Sequence, residues 1–211
     1  NADKAQLRRG MRLAVRGVML LNAPVMLGMA AVSEPLVVTM FGARWSASAP
    51  ILQVLCLAGL LWPLHRINLT ALVAQGHSRL FFRLEVAKKT LGVALLIGGA
   101  TKGLMGVAWA MVIFSAVEFF INAWCSARHL NYGAIRQARD IAPIIMLSLL
   151  MGVFVHGIGA RWDMASPIAL LVQVAAGVAF MATLTPLLRL RALQDVIDLI
   201  RQRKAVKSEA A

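Results

Sequence analysis

Apolar residues gather into six stretches, over 17–40, 50–73, 80–99, 104–127, 141–158 and 167–188, separated by short polar breaks. A bilayer core of roughly 30 Å takes about 20 helical residues at 1.5 Å rise, so each stretch is long enough to cross, or nearly so. Two are interrupted: the second by His65-Arg66, the third by Glu85, Lys88 and Lys89. Keeping both predicts an all-α fold, a polytopic membrane bundle of six transmembrane helices. Beyond them Leu190, Leu193, Ile197 and Ile200 recur at helical spacing among Arg189, Arg191, Asp195, Asp198 and Arg201. That pattern predicts either an amphipathic helix over 189–204 lying on the membrane surface or a solvated helical tail. The expected organisation is a basic segment over 1–16, a membrane region over 17–188 and a tail over 189–211.

The basic residues test the span count. The first segment holds Lys4, Arg8, Arg9, Arg12 and Arg16; the breaks hold Arg44, then Arg79 and Arg83, then Lys102, then Arg128, Arg136 and Arg139, then Arg161. The tail holds Arg189, Arg191, Arg201, Arg203, Lys204 and Lys207. Rich and poor breaks alternate strictly over six spans, so the positive-inside rule puts both ends of this segment in the cytoplasm. Dropping either doubtful span would put rich and poor breaks on one side.

Composition narrows the class. Of 211 residues, 60% are hydrophobic and 15% charged, which is too apolar for an ordinary soluble enzyme. The net charge of +13 then reads as a topology signal facing anionic membrane lipid rather than nucleic acid. Cys56 and Cys125 fall near opposite faces, which argues against a disulfide, and no C-x-x-C pattern occurs. The chain opens at Asn1 with no signal-peptide pattern and reads as a piece of something longer.

Six ionisable residues fall inside spans: Glu34, Arg66, Glu85, Lys88, Lys89 and Glu118. Each costs roughly 2.5–3.5 kcal/mol at the bilayer centre, so each is expected to face protein or a water-filled cavity. Arg66 and Lys88 both lie 11 residues from His77, which puts them level in an antiparallel hairpin. Glu118 falls four residues, about 6 Å, from the level of Lys88 when both are counted from Thr101. Ser115, Glu118, Asn122 and Ser126, spaced 3, 4 and 4, share one helical face. His65, Arg66, Asn68 and Thr70 add a polar arc at similar depth. The expected site is therefore a cavity lined by Arg66, Lys88, Lys89, His65 and Asn68, with the stripe from Ser115 to Ser126 opposite. Plainer readings stand beside it: Glu85 pairing within its helix with Lys88 or Lys89, Arg66 snorkelling to headgroups, His65 packing. Pro24 and Pro35, 11 residues apart, would kink the first span on one side.

No G-x-S-x-G, Walker A, H-E-x-x-H or dinucleotide glycine pattern appears. His65, His77, His129 and His156 lie in different segments. The expectation is a protein that is not an enzyme, with no metal and no cofactor.

Several runs are familiar. They are Pro24-Val25-Met26-Leu27-Gly28-Met29-Ala30, Glu34-Pro35-Leu36-Val37, Phe41-Gly42-Ala43-Arg44-Trp45 and Ala49-Pro50-Ile51-Leu52-Gln53-Val54-Leu55. Asn68–Arg79 and Lys88-Lys89 continue the pattern. In order and spacing these resemble Wzx-type lipopolysaccharide and exopolysaccharide flippases of the MOP exporter superfamily, most clearly over 17–130. The resemblance implies a bundle of 14 helices, of which this chain would supply the ninth to fourteenth, with the N-terminal portion as its missing partner. It also implies a polyprenyl-pyrophosphate-linked oligosaccharide substrate moved across the bacterial inner membrane, and contact with polysaccharide polymerase or export machinery. Cavity cations would then meet the pyrophosphate. A cation-coupled multidrug exporter of the same superfamily, using Glu34 or Glu118 for coupling, is the first alternative. A membrane enzyme of polysaccharide assembly and a structural membrane subunit are others.

Overall fold

The computed structural model describes residues 2–74, 78–161, 166–188 and 192–195. Nearly all of these are helical, and none is in a strand. The helices are α1 (Ala2–Ala31), α2 (Ser33–Phe41), α3 (Ala49–Ala74), α4 (Ser78–Ala100), α5 (Gly103–Leu130), α6 (Ala134–Arg161) and α7 (Ser166–Leu187), with a 3-10 turn over Ala43–Ser48 between α2 and α3.

The stretch over 17–40 is not one kinked helix. Pro24 is accommodated inside α1, but the helix ends at Ala31 and α2 restarts after Val32. Pro35 is the reason: its ring would meet the carbonyl of residue 31 and it has no N–H to donate. Proline is tolerated in a first turn, and Pro35 is the third residue of α2. The basic segment is likewise no separate tail, because α1 carries it as its first four turns.

Among the described residues, five segments are long and apolar enough to cross a membrane: Lys4–Ala31, Ala43–Ala74, Gly103–Arg128, Ala134–Arg161 and Pro167–Leu187. This is a multi-pass membrane protein. α4 has the length, at 23 residues, but Arg79, Arg83, Glu85, Lys88 and Lys89 leave it outside that set. Of the amphipathic helix expected over 189–204, only residues 192–195 are described, and they are helical; the rest lies outside the described residues.

Packing follows from helical periodicity. Met11, Val15, Met19, Ala23 and Leu27 are buried at intervals of four along α1, giving one continuous face. That face and its flanks meet α6 and α3; α3 in turn lies on α5, α5 on α4, and α7 covers α6 and α2. Ile141, Ile144, Leu147, Met151 and Val155 form the matching stripe on α6. α4 and α5 touch backbone to backbone beside their connecting turn, where a Cβ on Gly99 would fall 2.6 Å from the carbonyl oxygen of Gly106.

The distribution of polarity is that of a membrane protein. Leu21, Leu104, Val153 and Leu171 are more than 70% exposed, whereas Asn68, Lys88, Asn122, Gln137 and Ser148 are buried. Lipid solvates an apolar exterior at no cost, and polar side chains turn inward to find partners.

Candidate functional site

Lys88 is the centre of a polar cluster between α3, α4 and α5. Its side chain is 2% exposed. The ammonium donates to Asn122 Oδ1 at 3.2 Å, pairs with Glu85 one turn earlier on α4 and lies 3.6 Å from Glu118 Oε1 on α5. Buried ammonium groups are stable only with counter-charge, and here two carboxylates supply it. On the far side, His65 Nδ1 of α3 is 3.8 Å from Glu118 Oε2. Among the described residues, neither ring nitrogen of His65 has a hydrogen-bond partner. Asn122 donates to the His65 carbonyl at 3.5 Å, and Ser115 donates to the Ala58 carbonyl at 2.9 Å. The stripe of Ser115, Glu118, Asn122 and Ser126 thus faces the interior of the described helices, with three of the four buried.

The other residues expected at this site go elsewhere. Arg66 and Lys89 are exposed, because each follows a buried neighbour and lies about 100° further round its helix. Asn68 exchanges two hydrogen bonds with Gln137 of α6, at 2.9 and 2.7 Å, and so ties α3 to α6. Glu34 is exposed in the first turn of α2, away from the Lys88 cluster. Within the buried cluster, acids outnumber lysines: Glu85 and Glu118 against Lys88.

A second polar cluster escaped the sequence reading. Asp140, at the start of α6, receives a bidentate pair from Arg12 (both contacts 2.6 Å) and a third contact from Arg16 at 2.5 Å. Tyr132 donates its hydroxyl to Asp140 at 2.9 Å, and Arg16 reaches Asp195 at 3.0 Å. Burial and the bond to Asp140 push the Tyr132 phenol above its ordinary range. The local fold makes this possible: Asn131 closes α5 in the left-handed conformation, and the chain turns so that Tyr132 lies beside α6. The available signal was the i,i+4 spacing of Arg12 and Arg16 and one acid among the basic residues of 128–140.

Residues 1–50 match a family model described as polysaccharide biosynthesis protein. The teichuronic acid biosynthesis protein TuaB of Bacillus subtilis (strain 168) is 28% identical over 179 residues, which is 83% of this chain and 37% of that protein. The lipopolysaccharide biosynthesis protein WzxC of Escherichia coli (strain K12) is 27% identical over 136 residues, 64% of this chain and 28% of its own length. The succinoglycan biosynthesis transport protein ExoT of Rhizobium meliloti (strain 1021) is 25% identical over 208 residues, 96% of this chain and 42% of its own. That last match runs past Leu130, beyond the region 17–130 over which the resemblance is clearest. No solved structure matches. The chain spans less than half the length of these curated relatives, and its sequence is Wzx-like.

Proposed function

We propose that this chain forms part of a flippase that carries polyprenyl-pyrophosphate-linked oligosaccharide from the cytoplasmic to the periplasmic leaflet of the inner membrane, for lipopolysaccharide or exopolysaccharide synthesis. The observation that carries the reading is the similarity of most of this multi-pass chain to proteins named for polysaccharide biosynthesis and transport. The Lys88 cluster supplies a chemical rationale. With the site empty, Glu85 and Glu118 hold the ammonium in place; an arriving pyrophosphate competes for it, and Arg66 and Lys89 add charge from the exposed sides of α3 and α4. Charge-assisted contacts to phosphate favour such an exchange. Surface polysaccharide is expected to fall at least about tenfold in an Arg66→Ala/Lys89→Ala variant of the intact protein, the loss of roughly 1.4 kcal/mol of substrate binding. Polysaccharide and protein both at normal levels would remove these two residues from the substrate path.

The reading includes six crossings, with α4 as one of them and both ends of this segment cytoplasmic. It is supported by the 23-residue length of α4 and by the alternating basic count. In a background lacking Cys56 and Cys125, cysteines at 102 and 161 are expected to react with an impermeant thiol reagent from outside, and those at 79 and 136 are not. Reaction at 79 and 102 from the same side would show that α4 does not cross.

One observation favours a second reading. Because the buried cluster holds two carboxylates to one lysine, Glu118 suits a coupling-ion site of a cation-driven exporter. Transport insensitive to Glu118→Gln would count against that role.

A further inference from the structure

A cleft of about 920 Å³ opens where the first turns of α1 approach the start of α6, beside Tyr132. That is at the upper end of ordinary ligand pockets, roughly 300–1,000 Å³. Six arginines line it: Arg8, Arg9, Arg12, Arg16, Arg136 and Arg139. Arg8, Arg12 and Arg16 repeat every four residues on α1, so they share one face, with Arg9 flanking Arg12. Arg136 and Arg139 stand one turn apart on α6. Asp140 is the one carboxylate among the described lining residues, and it is already engaged by Arg12 and Arg16. No described carboxylate pairs with Arg8, Arg9, Arg136 or Arg139. Four like charges around one cleft repel each other and are relieved by an anion.

Three further observations define that anion. Every basic residue among the described lining residues is arginine, whose planar fork pairs with phosphate through two hydrogen bonds where lysine offers a point charge. Next, α1 has 30 residues, about 45 Å, against a bilayer core of roughly 30 Å, and its excess length lies at the arginine end, before the apolar run from Gly17. The cleft therefore stands at headgroup depth. Finally, Ile144 and Leu188 form part of its wall, so the lining carries apolar as well as charged surface. A free anion has no use for the apolar part; a lipid does.

We infer that this cleft binds a membrane lipid whose headgroup carries two phosphates, with Arg8, Arg9, Arg136 and Arg139 as its phosphate ligands. Asp140 has a positioning role, holding Arg12 and Arg16 so that the two helices present their arginines to one space. The inference does not depend on the transport reading, because it concerns binding at the membrane face and not passage across it. Two lipids share the chemistry: a diphosphatidylglycerol of the bilayer and a polyprenyl pyrophosphate.

The test is native mass spectrometry of the intact detergent-purified protein, titrated separately with diphosphatidylglycerol, polyprenyl pyrophosphate, phosphatidylglycerol and inorganic pyrophosphate. At least one two-phosphate lipid is expected to bind about tenfold or more tighter than phosphatidylglycerol, since a second phosphate engages further guanidinium groups near the membrane surface. Which of the two binds identifies the source. Arg8→Gln/Arg9→Gln/Arg136→Gln/Arg139→Gln is expected to abolish that preference, with affinity for the two-phosphate lipid falling by up to about fivefold per guanidinium removed, while Arg44→Gln changes neither. The four positions are exposed; should the glutamine variant nevertheless misfold, the four-lysine variant keeps the charge and is expected to lose part of the preference. Equal binding of phosphatidylglycerol would make the cleft a diffuse basic surface and overturn the inference. So would inorganic pyrophosphate binding as tightly as the lipids, or a preference that survives both sets of substitutions.

Discussion

Asp140→Ala is expected to destabilise the protein by about 3–5 kcal/mol, the range for removing one partner of a buried ion pair. Two guanidinium groups and a phenol converge on this carboxylate. Without it Arg16, which is nearly buried, keeps only Asp195 at 3.0 Å among the described residues, and the Tyr132 hydroxyl loses its acceptor. Arg12 is half-exposed and can turn to water, so most of the loss falls on Arg16 and Tyr132. Thermal unfolding of the intact protein in detergent or nanodiscs would measure it. A compensated variant, Arg12→Met/Arg16→Met/Tyr132→Phe/Asp140→Leu, is expected to recover most of the stability, because it strands neither a buried charge nor a buried hydroxyl, and Asp195 is exposed enough to turn to water. A loss below about 1 kcal/mol in the single variant would mean that water already screens the group as it does a surface pair.

Lys88→Met is expected to cost about 3 kcal/mol, at the lower end of the same range, because Glu85 and Glu118 retain some access to solvent. Glu118 would then face Glu85 with no cation between them. Adding Glu118→Gln to Lys88→Met is expected to return part of the stability by removing one of the stranded charges. Transport separates a structural role from a functional one. If Lys88 meets the pyrophosphate, translocation of lipid-linked oligosaccharide stays lost in the double variant even as the melting temperature recovers. Recovery of both together would reduce Lys88 to a partner of its two acids. Melting curves and a lipid-translocation assay on the same preparations decide between these outcomes.

Much of the architecture depends on interactions within a few residues of chain, and that part was legible in the sequence. Apolar runs of 20 or more residues become long helices because every backbone group must be satisfied internally in lipid. The stripe of Ser115, Glu118, Asn122 and Ser126 faces inward because its spacing matches the helical repeat and lipid cannot solvate it. Depth was also legible: counting from the connecting turn put Lys88 and Glu118 within about 6 Å in depth, and their charged atoms lie 3.6 Å apart. Direction around the helix was not. Arg66 and Lys89 share that level but sit beside the buried His65 and Lys88, and the side each presents depends on which helices pack where. The end of α1 at Ala31 follows from the local geometry of Pro35, although the spacing of the two prolines suggested a kinked single helix. Asp140 was opaque for a different reason. Its partners Arg12 and Arg16 are 128 and 124 residues away, and in the sequence they are indistinguishable from basic residues that only set topology. Their pairing exists because α1 packs on α6, a consequence of two apolar stripes meeting over many turns, and only the tertiary structure decides that.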